Sequence, residues 1–154
     1  MKEIIIEKNL KLIPYFPNQE VTLQWYQDLD VCKQVDNIDY PYTRERLDKM
    51  YTYLSTHGEC YYIEFNNTLV GDVSIYNVNE IAIVISKEFQ NQHIGRKCIK
   101  KIIQFAKGKG LNELRANIYS FNKQSKKMFE SVGFTQIDEE SYLYKLWKIS
   151  NMGK

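Results

Sequence analysis

The sequence predicts a mixed α/β fold, a sheet with helices packed on its faces, formed as one domain over residues 1–154. Three observations carry that expectation. Apolar residues switch repeatedly between the alternation of strands and the three-to-four spacing of helices. The stretch Glu80-Ile81-Ala82-Ile83-Val84-Ile85 is a nearly continuous apolar run, as expected of a central strand covered on both faces. A helix-period segment and a second strand follow it, so Glu80 to Tyr119 reads as a right-handed crossover joining two parallel strands.

In chain order, Glu3 to Ile13 is rich in Ile and Leu and reads as an edge strand ending at Pro14, with a break near Asn9. Asn18 is placed to cap a helix running to about Leu29, with Val21, Trp25 and Leu29 at four-residue spacing. Asp28 to Val35 suggests a further helical turn, and Asp36 to Pro41 an irregular loop. Thr43 caps the next helix, Glu45 suits the dipole of its first turn, and Leu47, Met50, Tyr51 and Leu54 form its apolar stripe. His57-Gly58 ends it.

A hairpin follows, Tyr61 to Phe65 and Leu69 to Tyr76, turned by Asn66-Asn67. After the central strand, His93 to Lys107 is helical, with Ile94, Cys98 and Ile102 and then Ile99, Ile103 and Ala106 in register, and Gly108 to Gly110 stops it. Leu114 to Tyr119 is a strand, Asn122 to Val132 a helix closed by Gly133, and Phe134 to Ile137 with Tyr142 to Trp147 a closing pair of strands.

Composition narrows the function. With 44% hydrophobic and 26% charged residues the chain is globular rather than disordered. A net charge of +2 carries no nucleic-acid footprint. No run approaches a membrane span. Three scattered cysteines, Cys32, Cys60 and Cys98, make neither a metal pattern nor a disulfide framework and suit a reducing cytoplasm. With two histidines, His57 and His93, no metal site is expected.

The segment with most chemistry runs from Val84 to Lys97: a strand, a short polar loop, then a helix. Unpaired amides at such a helix start suit an anion such as a pyrophosphate, and Gly95 would let backbone approach it. An ordinary strand-to-helix turn is the plain alternative. A second stretch, Asn122 to Phe134, is by itself an amphipathic helix capped by Asn122.

Together the two stretches resemble the GNAT superfamily of acetyl-CoA-dependent N-acetyltransferases. The family pattern (Gln/Arg)-x-x-Gly-x-(Gly/Ala) reads here as Gln90-Asn91-Gln92-His93-Ile94-Gly95, and its second pattern reads as Asn122, Ser125, Phe129 and Gly133-Phe134. The likeness covers roughly residues 60–147. The N-terminal part, with Trp25-Tyr26-Gln27-Asp28, is more loosely similar to the branch holding ribosomal-protein and other small-substrate acetyltransferases. Two positions depart from the pattern. His93 replaces the first Gly, and its Cβ calls for a negative φ. Phe129 stands where many members have a Tyr that protonates the departing thiol.

The resemblance implies a mostly antiparallel sheet of six to seven strands, helices on both faces and a splayed pair of central parallel strands. It implies acetyl-CoA as cofactor, leaving as CoA, and a small-molecule or peptide amine as acceptor, with a homodimer open. The pantetheine arm would lie against Ile83, Val84 and Ile85, with an amide near Val84 or Ile85 polarising the thioester carbonyl. Gln90, Asn91, Gln92, His93, Ile94, Gly95, Arg96 and Lys97 would hold the pyrophosphate, and Asn122, Ser125 and Phe129 the remainder. Arg96 and Lys97 stand apart from Lys100, Lys101, Lys107 and Lys109, which read as a solvated face. The amine would attack directly, with Glu80 as first candidate base through water, and Tyr119 and Asp72 behind it. Asp36, Asp39 and Glu45 would draw a cationic acceptor. A non-catalytic acyl-CoA sensor is the alternative. A dinucleotide-binding domain is rejected, because no G-x-G-x-x-G is present.

Overall fold

The computed structural model describes residues 1–146. Its sheet has eight strands in the order β1-β2-β3-β4-β5-β6-β8-β7, antiparallel throughout except where β5 meets β6. The break at Asn9 divides the first segment into β1 (Ile4–Glu7) and β2 (Leu10–Pro14). The hairpin is β3 (Gly58–Phe65) and β4 (Thr68–Tyr76), turned by Asn66 and Asn67 at φ 50 and 64, the left-handed pair that a tight hairpin turn needs. β5 is Glu80–Ile85, β6 is Glu113–Asn117, β7 is Thr135–Gln136 and β8 is Ser141–Lys145. The expected continuation of the last strand to Trp147 lies outside the described residues.

The helix expected from Asn18 to about Leu29 does not form as one piece. It breaks into α1 (Gln19–Thr22) and a 3-10 turn over Trp25–Gln27, while the further turn expected over Asp28 to Val35 forms as α2 (Leu29–Asp36). Asn18 makes no side-chain cap. Asp28 is the effective cap, accepting from the N–H of Asp30 and Val31 and so starting α2 afresh. The four-residue spacing misled because Val21 and Leu29 are exposed and only Trp25 of the three is buried. α3 (Arg44–Thr56) has Thr43 Oγ1 on the Arg46 N–H and buries Leu47 and Tyr51.

Two apolar layers sandwich the sheet. One face packs on α4 (Ile94–Gly108), whose Ile94, Cys98, Ile99, Ile102, Ile103 and Ala106 are buried. α5 (Lys123–Ser131) adds Phe129 to that layer. The other face meets α1 to α3 through an unusually aromatic layer of Trp25, Tyr26, Tyr42, Tyr51 and Tyr62. Asp72 of β4 points into this second layer, and the Tyr26 and Tyr51 hydroxyls each donate to its Oδ2 at 2.8 Å. No helix among the described residues is long and apolar enough to cross a membrane.

Candidate active site

The sheet opens at its middle. β5 and β6 are in register only where Glu80 faces Arg115, and the Arg115 N–H donates to Asn79 O at 2.8 Å. Beyond that point the strands diverge, and a cavity of about 550 Å³ fills the gap, within the range of small-ligand sites. This accounts for a departure from expectation. The apolar run of β5 is not covered on both faces: only Ile81 is fully buried, and Ala82 to Ile85 are half-exposed because they wall the opening.

Strand alternation decides which backbone groups face that opening. The Ser86 N–H donates to Val70 on the β4 side, whereas Asn79 O accepts from β6. Residues two apart turn the same way, so Ile83 and Ile85 aim their N–H and C=O at the opening and Val84 turns its own toward β4. The Val84 amide is thus corrected as a donor to the thioester carbonyl, although Val84 is still among the residues that line the cavity.

The far end of the cavity is the loop into α4. Asn91 and His93 both adopt the left-handed conformation, at φ 63 and 65. The negative φ expected of His93 is therefore wrong: the chain takes the glycine-like conformation with a Cβ in place. Left-handed residues within a turn converge successive N–H groups on one concavity, an anion-binding nest. Among the described residues, no backbone N–H from Asn91 to Arg96 meets a protein acceptor. The Lys97 N–H is already spent on His93 O, and its Nζ pairs with Glu7 at 3.1 Å, away from the cavity. Arg96 lines the cavity and Lys97 does not.

Gly95 has a second reason to be glycine. It is buried where α4 meets α5, and a Cβ there would collide with Met128 Sδ. Helix packing adds to any approach of ligand here, although the atom met is the movable end of a flexible Met side chain. The Gln90 side chain is engaged within the protein, its Nε2 donating to Ile85 O at 2.9 Å and to Gln34 Oε1 at 3.0 Å. The Gln92 side chain donates to Glu88 O and stands off the cavity. Asn122 caps α5 through the Ser125 N–H at 3.2 Å, and both residues line the cavity with Phe129, which packs edge-on to Phe134.

At the other end, Glu80 is bonded by Asn117 Nδ2 at 3.3 Å and is not itself among the residues that line the cavity. Its cross-strand partner Tyr76 lines the cavity. Burial, and then the Glu80 carboxylate beside it, push the Tyr76 phenol up to about 12, so it stays protonated. Tyr119 lies beyond the end of β6, stacked on Phe121, with its phenol raised by burial and then by the charges of Asp36 and Glu140. Asp72 is buried away from the cavity.

The acids expected to draw a cation are largely engaged. Asp36 holds Arg46 and the Tyr42 hydroxyl, and Glu45 pairs with Lys49. Glu140, which the sequence did not single out, lines the cavity instead, as do Gln34, Val35, Tyr76 and Gln124. Tyr76 alone had a usable signal, since it shares a strand face with Glu80 across a short turn. Burial pushes the Cys60 and Cys98 thiols up to about 12, which leaves them poor nucleophiles.

Known proteins agree with this geometry. An uncharacterized protein of Methanocaldococcus jannaschii is 33% identical over 91 residues, 53% of this chain, and the match spans only 19% of that relative's length. Among solved structures, the RimL ribosomal L7/L12 alpha-N-protein acetyltransferase in complex with coenzyme A superposes with a TM-score of 0.75 at 15% identity, covering 93% of this chain and 97% of that one. The spermidine N-acetyltransferase of Vibrio cholerae, in complex with CoA and spermine, gives 0.74 at 13% identity over 91% and 97%. At such identities these two establish a shared fold. The model of the acetyltransferase (GNAT) family matches residues 22–134, which takes in the opened strands, the loop of free amides and α5, and so this chain belongs to the acetyltransferase (GNAT) family.

Proposed function

We propose that the chain moves an acetyl group from acetyl-CoA to the primary amine of a small molecule or peptide by direct attack, the whole chain acting as one catalytic domain. The observation that carries this reading is the opening between β5 and β6 together with the free N–H groups of Asn91 to Arg96 at its end. Acetyl-CoA supplies the acetyl group as a thioester. The free amides and Arg96 bind its pyrophosphate, a fit that the charge and convergence of the loop favour. Ile83 offers its N–H and C=O and Ile85 its N–H to the pantetheine arm, and one of these N–H groups stabilises the carbonyl oxygen as charge develops. Asn122, Ser125 and Phe129 form the opposite wall.

The acceptor enters from the Tyr119 mouth of the opening and reaches toward Tyr76 at its narrow end. A lysine-like amine has a pKa of about 10.4, so losing its proton at pH 7 costs roughly 4–5 kcal/mol. Glu80, reached through water, takes that proton, and the Tyr119 phenol supplies one to the leaving sulfur in place of the hydroxyl that Phe129 lacks. Glu80→Gln is expected to lower kcat/KM about 100-fold at pH 7 with CoA affinity unchanged. The deficit should shrink toward pH 10 as the amine deprotonates unaided. A deficit independent of pH would remove Glu80 from this role.

Thermal unfolding and thiol release test the whole reading. Acetyl-CoA at 100 times its Kd adds about 2.7 kcal/mol, roughly 5–10 °C in Tm for a chain of this size, and NAD is expected to add none. Amine-dependent thiol release completes the case. The bare phenyl ring of Phe129 favours one other reading, an acyl-CoA sensor, which predicts the thermal shift without thiol release on any amine.

A further inference from the structure

α2 lies across the mouth of the opened strands and touches both lips. Asp30 in its first turn pairs with Lys87 at 2.7 Å, on the segment that follows β5. Lys33 sits over the Phe121 ring at 4.7 Å, on the segment that follows β6. Between them Gln34 reaches Gln90. The Gln90 amide is fully occupied: its two N–H groups go to Ile85 O and Gln34 Oε1, and its oxygen receives Gln34 Nε2 at 3.5 Å and Gln124 Nε2 at 3.3 Å. One side chain thus ties α2, α5 and the last carbonyl of β5, and it directly precedes the loop whose left-handed residues and free amides await an anion.

We propose that Gln34 is a positioning residue that couples occupancy of the α4 loop to the placement of α2, the helix over the acceptor side of the cavity. This rests on the acetyl-CoA reading above. Non-glycine residues at positive φ make the unliganded loop costly to hold, and a bound pyrophosphate narrows its conformations. Gln90 is then fixed, and through the bond to Gln34 so is α2. By linkage, whatever orders α2 also favours the cofactor. The other two ties are an exposed ion pair and an exposed cation–aromatic contact, which salt weakens, whereas the amide pair is neutral.

The test is amide hydrogen exchange over residues 29–36 with and without saturating CoA, in about 0.3 M salt where exposed pairs are screened. In the unaltered protein CoA should slow exchange there by about fivefold, the size of one neutral hydrogen bond. Gln34→Met keeps the side-chain length and removes the acceptor. Its Tm should still rise with CoA, while the slowing in α2 falls below about twofold. A Gln34 that merely supported the helix would lower protection equally with and without CoA and leave the increment intact. That result, or protection confined to residues 91–96 in the unaltered protein, overturns the coupling. A Tm unmoved by CoA overturns the cofactor reading itself, and the coupling with it.

Discussion

Gly95→Glu should lose acetyl-CoA binding, with Kd raised at least about 100-fold, or about 2.7 kcal/mol. Two effects act together. A carboxylate in the first turn of α4 satisfies the helix-start charge that a pyrophosphate would otherwise meet, so it stabilises the helix while excluding the ligand. Its Cβ also collides with Met128 of α5. A double variant separates them. Gly95→Ala, alone or with Met128→Ala, is expected to retain binding, because the Met128 side chain can shift and no charge is added. Gly95→Glu in the Met128→Ala background should remain defective. Isothermal titration with CoA reads all of these, and near-native affinity in Gly95→Glu would move the phosphate site elsewhere.

Asp72→Asn should stabilise the protein above pH 6 and remove a slope in its stability curve. Burial pushes the Asp72 carboxyl up to about 6, against the opposing bonds from Tyr26 and Tyr51. The unfolded value is about 3.9. Between the two values the folded state holds more proton than the unfolded state, so this group's contribution falls as pH rises from about 4 to 6 and is flat above. Two pKa units correspond to about 3 kcal/mol disfavouring the charged folded state at pH 7. Asn accepts from the tyrosines without carrying charge, although its own N–H groups gain no assured partner. We expect a net gain of about 1–2 kcal/mol at pH 8 that vanishes near pH 4. Urea unfolding of both proteins at the two pH values measures it. An equal difference at both would mean that Asp72 does not titrate in this range.

Much of the fold was legible because apolar periodicity is a local signal. β5 begins and ends at Glu80 and Ile85 as expected, the Asn66-Asn67 hairpin forms, and Thr43 and Asn122 both cap their helices. The N-terminal helix failed for the same reason that the others succeeded. Val21, Trp25 and Leu29 present a helical stripe, and the further turn over Asp28 to Val35 is legible, but the pattern does not reveal that Asp28 draws two N–H groups and caps that turn as a separate helix.

The motif around Gln90 marked the neighbourhood of the candidate site, yet individual roles within it changed on folding. Gln90 became a clasp and Lys97 turned to Glu7, because both side chains found partners 56 and 90 residues away. Glu140 and Gln34 came to the cavity from distant segments.

By itself, then, the order of residues determined most strand and helix periods, the caps of α3 and α5, and the family pattern, since each depends on neighbours a few positions apart. Only the tertiary structure decided where β5 and β6 part, which amides are left without acceptors, and that His93 takes a left-handed conformation despite its Cβ. Those outcomes depend on pairing and packing between segments far apart in the chain, where the energy of one contact is set by all the others that must form with it.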